Sequence, residues 1–236
     1  MIGCLMIHGY TGSPYEVGPL ADYLREHTDW FVDVPTLPGH GSELHLENVS
    51  HKSWLTAAEN SLKELKEKTD KIYLIGFSMG GMIAAYLASK HNIDKLVLLA
   101  PSGKYLSFRQ IARDFKGVIA DGFKGKLKEN NLYLHYKQKW GTVPFKANIE
   151  FLKLVRFTRR YLNKVKSPVM IAHGQQDMVV PYKTGYYLDK EMTSEQKEVV
   201  FFERSGHLIC LGDDNVTLNR LIYEFLTEEK EGNAVT

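Results

Sequence analysis

A chain of 236 residues, 44% hydrophobic and 25% charged, is long enough for one large α/β domain and too apolar for a disordered segment. A net charge of +2 and the lack of any helix-turn-helix, RNA-binding or zinc pattern argue against nucleic acid as a partner. Cys4 and Cys210, two cysteines in all, are too few for a disulfide framework and match no metal-ligand spacing, so they read as buried, reduced thiols of a reducing compartment.

The chain opens on MIGCLMIHG, a short apolar run without a basic n-region or a small-residue cleavage site. It reads as a buried strand rather than a signal peptide. No stretch approaches the roughly 18 apolar residues of a membrane span, so a soluble, cytoplasmic protein is expected. Further along, apolar runs alternate with amphipathic segments. The strand candidates are CLMIH, WFVDVP, KIYLIG, KLVLLA, PVMIAHG and EVVFFE, and helix candidates lie near residues 15–27, 52–68, 79–90, 182–191 and 213–229. That order predicts an α/β fold, a mostly parallel twisted sheet flanked by helices and wound by right-handed crossovers.

One interval breaks the rhythm. Residues 103–166 contain helix-like pieces but no convincing strand, and they carry 16 Lys plus Arg against 4 Asp plus Glu. The predicted division is therefore a core of residues 1–102 and 167–236 with a small, basic helical cap, 103–166, inserted before the late strands. The basic charge fits a solvated face, attraction of anionic substrates, or weak contact with an anionic membrane surface without insertion. Phe108, Phe115, Tyr133 and Trp140 in this interval would shape a pocket beneath the cap or form the cap's own small core.

Chemistry enters at GFSMGG, residues 76–81. Gly76, Phe77, Ser78, Met79 and Gly80 form G-x-S-x-G between a predicted strand and a predicted helix. In that setting a serine is held on a strained turn with its hydroxyl projecting, and glycines two positions away let strand and helix approach. A serine hydroxyl is a weak nucleophile at neutral pH; it needs a histidine in reach and a carboxylate to orient that histidine.

Chain order narrows the choice. After the last strand comes RSGHLICLGDD, in which His207 stands on a Gly-flanked loop before the final helix. Earlier, VMIAHGQQDMVVP ends a strand and presents Asp177 in a loop closed by Pro181. Asp213 and Asp214 open the last helix and read as capping residues, whereas His51, His91 and His135 lie on helical pieces and read as structural. An oxyanion also needs two N–H donors. Met79, next to the nucleophile, supplies one, and Tyr10, in the HGYTGSP loop after the first strand, supplies the other.

IHGYTGSP, PTLPGHG, GFSMGG, HGQQDMVVP and SGHL together resemble, in order and approximate spacing, the α/β-hydrolase fold, and within it the small bacterial carboxylesterases related to monoacylglycerol lipases. The resemblance implies a serine hydrolase with Ser78 as nucleophile, His207 as general base and acid, Asp177 as orienting carboxylate, and an oxyanion hole from Tyr10 and Met79. It implies no metal and no organic cofactor, a small-molecule ester as substrate, and short- to medium-chain acyl esters or monoacylglycerols as the range. His40 in LPGHG is similar to a structural turn residue and takes no catalytic role. An HGYTG loop, unlike the HGGG type, points to esters of primary alcohols. A first strand that begins almost at Met1 points to a smaller sheet without the hairpin that many members place before it. Thioester, amide or carbon–carbon cleavage on the same triad remains open, as do a membrane-surface lipase and a binding protein that keeps the pocket without turnover. Oligomeric state is not legible.

Overall fold

The computed structural model describes residues 1–103 and 143–228. Six strands, β1 Ile2–Ile7, β2 Phe31–Asp33, β3 Lys71–Phe77, β4 Lys95–Leu99, β5 Val169–Gly174 and β6 Lys197–Phe202, form one sheet of order β2-β1-β3-β4-β5-β6. Every pairing is parallel. This is the parallel, helix-flanked α/β sheet that the alternating apolar runs predict, and each strand candidate falls on an observed strand.

Parallel strands buried on both faces carry apolar side chains without a break, and the pleat sorts them. Leu5, Ile7 and Leu74 enter one core; Cys4, Met6, Tyr73, Ile75 and Phe77 enter the other. Helices α1 (Gly18–His27) and α6 (Asn215–Thr227) cover the second core through Leu20, Leu24, Leu218 and Ile222. Helices α2 (His51–Lys66), α3 (Met79–Ala88), α4 (Phe145–Arg159) and α5 (Thr184–Glu191) close over the first.

The predicted helix at 15–27 divides into a 3-10 turn, Pro14–Val17, and α1, with the break at Gly18-Pro19. Helix α3 is buried along almost its whole length, because Gly80 and Gly81 let it lie against the strand ends. A methyl group on Gly80 would stand 2.1 Å from the Ile7 carbonyl oxygen, and one on Gly76 would stand 2.3 Å from the Gly80 carbonyl oxygen. The glycines of the motif are therefore contacts between backbones.

Helix α4 lies inside the interval assigned to the cap. Its Ala147, Phe151, Leu154 and Val155 join the core shared with α2 and α3. Glu150 on the same helix accepts from the His51 backbone N–H (3.0 Å), from His51 Nδ1 (2.6 Å) and from Lys153 Nζ (2.7 Å). Burial pushes the Glu150 carboxyl up, but those His51 and Lys153 bonds outweigh it and bring it down to about 2. His51 is thus structural, as read, and so is His91, which meets Glu59. His135, Phe108, Phe115, Tyr133 and Trp140 lie outside the described residues.

Cys4 and Cys210 are free and buried, and burial pushes both thiols up to about 12. Among the described residues no helix is long and apolar enough to cross a membrane.

Candidate active site

The carboxyl ends of β1, β3, β4, β5 and β6 share one edge of the sheet, and the loops that leave them bring the predicted residues together. Ser78 sits between β3 and α3 at φ 52° and ψ −112°, a left-handed backbone that a side chain rarely adopts. Surrounding bonds hold it there: its N–H donates to the Leu99 carbonyl at 2.8 Å, and its carbonyl accepts from Gly81 at 3.1 Å and Ser102 at 3.2 Å. Thr11 (φ 61°) and Ala100 (φ 41°) share the left-handed backbone, so strain gathers beyond β1, β3 and β4.

Ser78 occupies the N-cap position of α3, yet its hydroxyl makes no cap bond. It instead meets His207 Nε2 at 3.0 Å, and His207 Nδ1 meets Asp177 Oδ2 at 2.8 Å. The three predicted residues therefore lie on one hydrogen-bonded line. Burial alone would push the Asp177 carboxyl up. The facing His207, with hydrogen bonds from His173 and His207, outweighs that and holds it well below the usual carboxylate range. An ionised carboxylate only accepts, so Nδ1 of His207 carries the hydrogen and Nε2 presents its lone pair to the Ser78 hydroxyl.

Asp177 has further partners that local sequence patterns do not signal. Its Oδ1 accepts from the backbone N–H groups of Val179 and Val180, both at 2.8 Å. His173, fully buried on β5, places Nε2 3.0 Å from Asp177 Oδ2 and 3.0 Å from the Val180 carbonyl oxygen. Both neighbours are acceptors, so that nitrogen carries a hydrogen.

The His207 loop is fastened from two directions. The Ser205 carbonyl accepts from Gln176 N–H at 3.1 Å, an approach that Gly174 permits, since a methyl group there would lie 2.2 Å from the Ser205 carbonyl oxygen. Asp214 accepts from Arg204 N–H (3.1 Å), Arg204 Nε (3.1 Å) and the Ser205 hydroxyl (2.9 Å). This corrects the capping assignment. Asp214 holds the N-cap position of α6 but makes no side-chain cap bond; its carboxylate turns back onto the loop that presents His207. The Phe77 ring flanks His207, centroid to centroid 5.0 Å.

Of the two predicted oxyanion donors, Met79 is the first residue of α3, and such an N–H has no acceptor within its own helix. Tyr10 lies in the loop after β1. The buried Glu16 carboxylate accepts the neighbouring Gly9 N–H at 2.8 Å. His8 anchors the same loop to LPGHG: its Nε2 accepts from Leu37 N–H at 3.0 Å, which leaves Nδ1 to donate to the Gly9 carbonyl at 2.9 Å. His40 is buried beside the rings of His8, Tyr10 and Trp54. Among the described residues no cluster of three His, Cys, Asp or Glu side chains could hold a metal ion.

The profile of the alpha/beta hydrolase family matches residues 4–219: the chain belongs to that family. It is similar to the thermostable monoacylglycerol lipase of Bacillus sp. strain H-257, with 26% identity over 234 residues that cover 96% of this chain and 91% of the relative. The carboxylesterase of Bacillus subtilis strain 168 is 24% identical over 234 residues, covering 94% of this chain and 91% of that protein. A solved structure reported for the metagenome-derived lipolytic enzymes LipS and LipT has a TM-score of 0.77 at 21% identity and covers 96% of this chain and 94% of the other. That likeness shows a shared fold.

Proposed function

We propose that the chain hydrolyses carboxylic esters through an acyl-enzyme on Ser78. The observation that carries this reading is the hydrogen-bonded line from Ser78 Oγ through His207 to Asp177. His207 Nε2 takes the Ser78 proton as Oγ attacks the ester carbonyl. The oxygen that becomes negative is held by the N–H groups of Tyr10 and Met79. His207 then protonates the departing alcohol, after which it removes a proton from water so that hydroxide attacks the acyl-enzyme and frees the acid and Ser78. Asp177 stays ionised throughout and keeps His207 in the tautomer the reaction uses.

The names of the curated relatives, a monoacylglycerol lipase and a carboxylesterase, favour monoacylglycerols and short- to medium-chain acyl esters as substrates. Residues 103–166 are the proposed cap, with α4 as its attachment to the core and its basic charge available for weak contact with anionic surfaces. The two free, buried thiols suit a cytoplasmic setting.

The test is the initial rate on p-nitrophenyl esters from acetate to palmitate, with Ser78→Ala beside the parent chain. A maximum at short or medium chains that disappears in Ser78→Ala is expected. Activity that survives the substitution would overturn the assignment of Ser78, and activity confined to thioesters or to carbon–carbon substrates would replace the leaving group.

A further inference from the structure

We infer that α4 positions the oxyanion loop, with Asn148 acting through the side chain of Tyr10. The inference rests on the reading above that the Tyr10 N–H is one of the two oxyanion donors.

Tyr10 is gripped by two side chains of one helix face. Its hydroxyl donates to Asn148 Oδ1 at 3.1 Å, and its ring stacks on Phe151 with centroids 4.8 Å apart and planes 9° from parallel. Asn148 and Phe151 are three residues apart on α4 and therefore neighbours on its surface. Asn148 Nδ2 points to the Pro144 carbonyl at 3.4 Å, which fixes the amide so that its oxygen faces Tyr10. Trp54 and His40 stand edge-on to the same ring at 5.9 and 6.1 Å.

The backbone around Tyr10 needs such a grip. Thr11, the next residue, is β-branched and holds φ 61°, a conformation that persists only where the surroundings over-determine it. On the core side, Glu16 holds the N–H of Gly9. Between a fixed Gly9 and a strained Thr11 lies the peptide that carries the Tyr10 N–H. The α4 contacts fix the side-chain end of that same residue. A phenylalanine would keep the stacking on Phe151 and lose the hydroxyl's bond to Asn148, 138 positions away.

Asn148 is thus a positioning residue. It reaches the reacting atoms only through Tyr10, and donors misplaced by a fraction of an ångström stabilise the oxyanion less while leaving ground-state binding almost untouched.

The test compares Tyr10→Phe, Asn148→Leu, their combination, and Asn148→Asp, which keeps an acceptor for the hydroxyl. Each single loss is expected to lower kcat on a p-nitrophenyl ester, and the rate of Ser78 labelling by a fluorophosphonate, by about three- to tenfold. KM should move by less than about twofold, the combination should be no slower than the slower single variant, and Asn148→Asp should restore most of the rate. Wild-type kcat and labelling in Tyr10→Phe and Asn148→Leu, even with a lowered Tm, would overturn this inference alone, as would fully additive losses. A parent chain that neither hydrolyses esters nor takes the label would overturn both this inference and the functional reading beneath it.

Discussion

His173 and His207 place a nitrogen on the same oxygen of Asp177, at 3.0 and 2.8 Å. One histidine is fully buried and fixed by β5; the other faces the Ser78 hydroxyl. Replacing His173 by Leu would leave a buried carboxylate short of a donor, at a cost of about 1–3 kcal/mol. Because the native Asp177 carboxyl is held low, the stability it contributes is present above the ordinary aspartate pKa near 3.9 and is lost as the pH falls through the native value. The gap between parent and His173→Leu should therefore be full at pH 7 and narrow below about pH 4. Denaturant melts across that range check it, and His173→Gln, which keeps an N–H donor, should lie closer to the parent.

Gly80 lies close to Ser78 and Gly206 next to His207, yet they should respond differently to alanine. At Gly80 the added methyl meets backbone oxygens at 2.1 and 2.5 Å, whereas at Gly206 the nearest atom is 3.8 Å away. Gly80→Ala must push α3 off the end of β1, so loss of soluble protein or a drop of at least about 3 kcal/mol is expected. Gly206→Ala should stay within about 0.5 kcal/mol of the parent. Urea denaturation of the two side by side decides.

Asp214 offers a test of loop fastening against helix capping. A cap alone would cost about 1 kcal/mol on removal and leave turnover untouched. Because Asp214 binds Arg204 and Ser205 instead, Asp214→Ala should lower kcat about tenfold by loosening the approach of His207 to Ser78. Ser205→Ala, which removes one of the contacts, should show a smaller drop. Steady-state kinetics at a temperature well below Tm separate this from unfolding.

Glu150 links α4 to α2 through His51, and its carboxyl lies near 2. A depressed carboxyl stabilises above its unfolded pKa, about 4.3, and that contribution is lost as the pH falls through the folded value. Glu150→Gln should therefore be about 1–2 kcal/mol less stable than the parent at pH 7 and approach it toward pH 2. Thermal melts at pH 7, 4 and 2.5 would show the convergence; a gap constant with pH would rule the charge out.

Most of the sheet was legible because its strands are buried on both faces, and an unbroken apolar run bounded by polar residues has few other uses. The site was legible because G-x-S-x-G at a strand–helix junction restricts which later residues can complete it. Helix α4 was harder to place. Its apolar positions at 147, 151, 154 and 155 have helical spacing, but a helix that packs on the core looks the same in sequence as one inside a separate cap. Asp214 was misassigned because an acidic residue at a helix start has two ways to use its carboxylate, and only the preceding loop decides between them. His173, Glu16 and Asn148 left no local signal. Their partners, Asp177, Gly9 and Tyr10, become neighbours through β-strand register and helix packing, which no short motif encodes.

Ser78, Asp177 and His207 follow β3, β5 and β6, the first and the last 129 positions apart, and β6 is an edge strand of the sheet. The chain can thus bury Trp54 and form the contacts of β1, β3 and β4 while Ser78, the proposed nucleophile, still lacks its His207 partner. During refolding, recovery of tryptophan burial and of secondary structure should run ahead of recovery of ester cleavage, because long-range parallel pairing is the slow step in such sheets. Turnover then serves as a clock for the arrival of the last strand.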